Sequence, residues 1–160
     1  VDGVPHPYKE NLKPSDYEML KTSYRESGYK SRGVPVEGTD ELMSCLNRMY
    51  GGDIIILSAR PVKDVMRIAT DTVDWINKND IPYRAVLFNE DKAVYSARRL
   101  PTLDMLIDDD YGQCKRAALQ GVDKVMWIAG NDRREAPEGC TKLQSIIDCV
   151  KYLEGEHDAP

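Results

Sequence analysis

Asp53-Ile-Ile-Ile-Leu-Ser58 and Leu103-Asp-Met-Leu-Ile-Asp-Asp-Asp110 decide how this chain folds. Each is a short apolar run that stops abruptly at polar side chains. Such a run without polar alternation marks a strand covered on both faces, as in a parallel sheet packed between helices. In open α/β sheets, ligands bind at the carboxyl ends of the strands. Ser58 and the three acids Asp108, Asp109 and Asp110 are therefore expected at one edge of one sheet. A hydroxyl beside clustered carboxylates suits a hard divalent cation together with a phosphate.

The segments around these strands alternate helix and strand. Thr39 is placed to cap a helix over 40–50, whose Leu42, Met43, Leu46 and Met49 recur at helical spacing before Gly51-Gly52. Pro61 suits a first helical turn, and Val65, Ile68, Ala69, Val73 and Ile76 carry that helix to about Asn79. A strand is expected over 83–88, a helix over 91–100, and the strand 103–107. A helix over 112–120 closed by Gly121 and a strand over 124–128 follow. An amphipathic helix over 140–153 ends the pattern, with a frayed tail after Gly155. The fold class is thus α/β, a doubly wound and mostly parallel sheet with right-handed crossovers. Residues 1–155 form one domain, and 156–160 are tail.

Residues 5–38 interrupt the alternation. They hold Tyr8, Tyr17, Tyr24 and Tyr29 among prolines, glycines and basic side chains. An irregular insertion of this length in a compact domain points to a lid or a substrate loop. Its tyrosines suit stacking on a base, and equally a small core of the lid itself.

Composition narrows the partners. At 160 residues with 41% hydrophobic and 31% charged side chains, the chain is an ordinary globular one. A net charge of −5 argues against a long nucleic-acid groove but leaves room for a nucleotide or a single nucleic-acid end. No run approaches a membrane span and no signal peptide is recognisable, so no membrane partner is expected. Cys45, Cys114, Cys140 and Cys149 lack CxxC spacing. They read as reduced core thiols in a cytoplasmic protein. Oligomeric state is not encoded in any pattern recognised here.

The acidic strand end carries the chemistry. Asp108 and Asp109 are adjacent, so on an extended chain their side chains diverge. Asp108 is the expected cation ligand, and Asp110 is the expected cap of the following helix. Ser58, between a buried strand and a helix, offers a hydroxyl and nearby N–H groups, including that of Ala59, to an anion. Arg60 follows closely enough to meet a substrate phosphate, and equally suits pairing with a surface acid. Asp132-Arg-Arg-Glu135 reads as a solvated loop that borders the site, and Trp75 and Trp127 read as core.

In this order, Ile54-Ile-Ile-Leu-Ser58, Lys92 within Asn89-Glu-Asp-Lys92, and Leu106-Ile-Asp-Asp109 resemble three motifs of the haloacid dehalogenase (HAD) superfamily of phosphohydrolases. Val1-Asp2-Gly3-Val4 fits the opening Asp-x-Asp-Gly signature from its second position onward, and Pro5-His6-Pro7 is similar to a variant of it. The region from Ser58 to Gly121 is also similar to the 3′-phosphatase domain of phage polynucleotide kinase. The resemblance implies a HAD-like Rossmannoid sheet with a small lid, and a Mg²⁺-dependent phosphatase acting through an aspartyl-phosphate. It implies Asp2 as general acid and base and a metal ligand, and Ser58, Ala59, Arg60 and Lys92 as phosphate-binding residues. Lys92 also steadies the nucleophile, and Asp108 and Asp109 hold Mg²⁺. The implied substrate is a phosphorylated small molecule or a nucleic-acid end, most specifically a 3′-phosphate.

The nucleophilic Asp of the family stands two positions before Asp2 and would precede Val1, on a strand upstream of it. Upstream residues carrying it are the favoured expectation. The alternative is an inactive HAD-like module that binds phosphate without cleaving its ester. A receiver-type phosphoacceptor domain uses similar residue types in the opposite order.

Overall fold

The computed structural model describes residues 12–60, 62, 63, 67–89, 91, 92, 95, 98 and 103–157. They fall into two compact units, one holding residues up to 34 together with 60–81, the other holding 35–59 together with 82 onward.

The second unit is the α/β body. Its elements in chain order are α2 (Thr39–Tyr50), β1 (Ile55–Ser58), β2 (Ala85–Phe88), β3 (Met105–Asp108), α4 (Tyr111–Leu119), β4 (Lys124–Ile128), β5 (Cys140–Leu143) and α5 (Ile146–His157). The first unit contributes α1 (Pro14–Glu26), a turn of 3-10 helix (Tyr29–Arg32) and α3 (Arg67–Lys78). Among the described residues every strand pairing is parallel, with β1 beside β2 and β3, β4, β5 in that order. The described strands form two sheets where the sequence suggests one.

The apolar runs have their physical reason in the three-stranded sheet, which is covered on both faces. Leu106, Val125 and Trp127 pack with Cys114, Ala117 and Val122 in and beside α4. Met126, with Met105, Ile107 and Ile128 against it, packs with Leu42 and Cys45 of α2 and Cys149, Val150 and Leu153 of α5. Alternate residues of β4 thus serve opposite layers, so neither position can be polar. Gly38, at φ +85°, lets α2 start against α5, because a Cβ there would meet Ile147 Cδ1 at 2.6 Å.

Two local expectations are corrected. The helix expected over 140–153 is two elements. Cys140–Leu143 extends the sheet in register with Val125–Ile128, and α5 begins only at Ile146. Sheet pairing outweighs the helical spacing of a few apolar residues, and Ser145 restarts the helix by accepting the Asp148 N–H at 3.1 Å on its hydroxyl. That helix continues through Gly155 to His157. Thr39 also does not cap α2. Its hydroxyl donates to the Val36 carbonyl at 2.6 Å, and left-handed Gly38 holds the cap position. The helix expected over 91–100 lies largely outside the described residues, although the Tyr95 N–H reaches the Asp91 carbonyl at 3.1 Å.

In the first unit, the Arg67 guanidinium donates to the Glu26 carbonyl at 2.8 Å, and Trp75 Nε1 donates to the Gly33 carbonyl at 2.5 Å. Trp75, expected in the core, is only half-buried.

All four cysteines are free, and Cys45, Cys114 and Cys149 are buried. Burial pushes the Cys114 thiol up to about 12, with the Asp108 carboxylate adding to it, and the Cys149 thiol up to about 11. Since only the thiolate reacts, Cys114 and Cys149 should resist iodoacetamide at pH 8 in the native protein and react readily in denaturant. Peptide mapping of alkylated protein checks this. Native-state labelling of Cys114 at the denatured rate would refute the burial.

Candidate functional site

The site is built at the carboxyl end of β3. Asp108 ends that strand directly opposite Trp127 of β4, and only 8% of its surface is exposed. A carboxylate this deep needs positive charge and donors. Lys92 Nζ stands 2.5 Å from Asp108 Oδ2, and the Asp110 N–H donates to Asp108 Oδ1 at 2.9 Å. The next turn is fixed by Asp110, whose Oδ1 accepts the Gln113 N–H at 2.8 Å and caps α4. Asp110 therefore has the capping position expected of it.

Asp109 stands between these two. The residue is exposed, yet its carboxyl is partly desolvated by its surroundings. That desolvation, and then the neighbouring Asp108 carboxylate, raise it above the ordinary carboxylate range, while Lys92 opposes them. The Asp109 carboxyl thus feels both the Asp108 carboxylate and the Lys92 ammonium that faces it.

The segment 89–92 brings Lys92 to this point. Asn89 N–H donates to the Ser58 carbonyl at 2.9 Å, extending the register in which Ser58 lies opposite Phe88. The Asn89 side chain then accepts the Asp91 N–H at 3.0 Å, a turn that starts the helical stretch carrying Lys92. Asp91 also reaches Arg116 of α4, with Nε 3.5 Å from Oδ1. Ser58 is thus joined to the acidic end through the backbone of Asn89 and the side chain of Lys92. Ala59 follows it as an exposed residue.

Arg60 belongs to the first unit, where its guanidinium donates to the buried Thr72 hydroxyl at 2.6 Å. Asp2 lies outside the described residues, as do His6 and Tyr8. Tyr17 and Tyr24 are in the first unit, Tyr17 half-buried and Tyr24 exposed.

Sequence reading missed several neighbours. Trp127 was expected only as core, yet its Nε1 donates to the Asp109 carbonyl at 3.2 Å. Tyr111 stands edge-on to Trp127 with ring centroids 5.1 Å apart. The Arg134 guanidinium from the charged loop lies 4.1 Å over the Tyr111 ring. Arg116 has no part in the sequence reading, and Asn89 and Asp91 enter it only as the residues leading to Lys92. The one available signal was the position of Tyr111 straight after Asp110, because the register that sets Trp127 opposite Asp108 is not visible in sequence.

Among the described residues, no group of three or more His, Cys, Asp or Glu side chains is arranged to hold a metal ion. None of their helices is long and apolar enough to cross a membrane. No protein-family profile, curated protein or solved structure matches the chain.

Proposed function

We propose that this protein is a Mg²⁺-dependent phosphomonoesterase of the haloacid dehalogenase type, acting through an aspartyl-phosphate on a nucleotide or a nucleic-acid 3′-phosphate. The observation that carries the reading is Lys92 Nζ at 2.5 Å from buried Asp108, with Asp109 beside it, at the end of a parallel strand. The ordered motifs of the sequence supply the rest. Phosphoryl transfer is catalysed mainly by positioned charge, and a lysine shared between acid and phosphoryl oxygens is one such device.

The donor chemistry fits magnesium, which is held by one or two carboxylates while keeping several waters. Asp108 and Asp109 would be those carboxylates, with Asp2 the third that the resemblance implies. When bound, the ion neutralises charge on the phosphoryl oxygens. Lys92 offsets the same charge from the protein side, the Ser58 hydroxyl donates to a phosphoryl oxygen, and Asp2 protonates the leaving oxygen and then takes a proton from water. A net charge of −5 favours a compact phosphorylated end over a long polyanion, and free cysteines favour a reducing compartment such as the cytoplasm.

The test is to read the codon two positions before Asp2 in the gene and to assay the full-length gene product. The substrates are p-nitrophenyl phosphate and a 3′-phosphorylated oligonucleotide. An Asp at that position and phosphate release that stops on chelation of Mg²⁺ are expected. Another residue there, with phosphate bound but never released from an ester, selects the inactive phosphate-binding module instead.

A further inference from the structure

We propose that Trp127 is a positioning residue for the acidic strand end, its indole N–H setting the Asp109 carbonyl and with it the turn from Asp108 to Asp110. Trp127 and Asp108 are the last paired residues of the β3–β4 ladder. Beyond them the two strands part. Ala129 turns to β5, its N–H donating to the Leu143 carbonyl at 2.7 Å, and the Asp109 carbonyl accepts Trp127 Nε1 at 3.2 Å. With 1% of Trp127 exposed, this donor has no ready water to replace its partner.

The indole is itself held from two sides. Tyr111 meets it edge-on at 5.1 Å and an interplanar angle of 82°. The Lys142 ammonium lies 5.3 Å from its ring centroid, and the Arg134 guanidinium 5.9 Å from it. Cations over an aromatic face are attracted to it and polarise it, which strengthens its N–H as a donor. Asp132 orients Arg134, with Nε 3.0 Å from Oδ1, and Lys142 Nζ donates to the Arg134 carbonyl at 2.6 Å. The loop after β4 therefore braces the indole, and the indole braces Asp109.

The consequence for the site runs through one amide. Asp110 N–H donates to Asp108 Oδ1, the carboxylate that faces Lys92 through its other oxygen. If the Asp109 peptide rotates, that amide turns away and Asp108 loses an orienting contact. Trp127 touches no substrate in this scheme; it acts through Asp109 and Asp110. Its kinetic consequence rests on the phosphatase reading, whereas its structural consequence does not.

The experiment compares Trp127→Phe with replacement of Trp127 by benzothienylalanine, an isostere that keeps the fused rings and lacks the N–H. Amide hydrogen exchange is followed by NMR in each. In both variants the Asp110 amide should exchange about tenfold faster, the scale of one lost hydrogen bond, while Val125 within β4 stays within about twofold. In the full-length gene product, kcat should fall about tenfold with KM changed less than about twofold, as for an interaction made only in the transition state. Unchanged Asp110 exchange in both variants overturns the proposal. So does an isostere that behaves as wild type while Trp127→Phe does not, because packing alone is then at work. If the wild-type chain shows faithful exchange behaviour but no turnover, the phosphatase reading fails and the positioning role stands on the exchange data.

Discussion

Asp108→Asn is expected to lower Mg²⁺-dependent phosphate release by about 10²–10³-fold, the usual loss when one preorganised charge is removed from such a site. The substitution is nearly isosteric, and the new amide oxygen can still accept the Asp110 N–H that Asp108 Oδ1 accepts at 2.9 Å. What disappears is the negative charge 2.5 Å from Lys92, whose side chain is only 15% exposed. Leaving one member of a buried pair alone costs about 3–5 kcal/mol, and the remaining water access of Lys92 puts this pair at the lower end. The same change should therefore lower stability by about 3 kcal/mol. Lys92→Met should match the activity loss, and the double variant should recover much of the stability because both charges are gone. Unaltered turnover in Asp108→Asn, measured on 3′-phosphorylated oligonucleotide with saturating Mg²⁺, would remove Asp108 from the chemistry. Strict additivity of the two stability losses would mean that the ion pair is not formed in solution.

Leu153→Ala should destabilise the α/β body by about 2–5 kcal/mol, as expected when a fully buried leucine is truncated and its surroundings relax only partly. Leu153 has no exposed surface and shares a cluster with Leu42, Cys45, Met126, Cys149 and Val150, so its loss opens a void between α2, α5 and β4. A fall in melting temperature on the order of 10 °C would follow. Leu119→Ala is the control. That side chain is 71% exposed at the end of α4, and its truncation should stay within about 0.5 kcal/mol. Equal effects of the two substitutions, in a thermal melt followed by circular dichroism, would refute the packing of α5 against β4.

The alternation of helix and strand was legible because burial imposes periodicities that composition cannot hide. Met105–Asp108 and Lys124–Ile128 read as strands since both faces of that sheet are covered, and α2 read as a helix since one stripe of it is. Cys140–Leu143 was not legible as a strand. Its pairing with β4 depends on a neighbour across the sheet, and four residues of mixed polarity leave no periodic trace. Asp110 as a cap was readable because capping is local. The donation of Arg60 to Thr72 on α3, within the first unit, is likewise a contact between separate segments that no local pattern shows.

The α/β class, the parallel strands, and the end of one strand as the place where acids gather can all be read along the chain. These follow from local rules of burial, turn chemistry and capping, which act over a few residues. The resemblance already implies Lys92 at this strand end, but its 2.5 Å contact with Asp108, the raising of Asp109 by desolvation and then by Asp108, and the hold of Trp127 on the Asp109 carbonyl come from the folded chain. Each of those is a contact between segments far apart in the chain, set by strand register and by the path of residues 89–92. Distances of a few ångströms across such segments are fixed by packing, and no pattern along the chain encodes them.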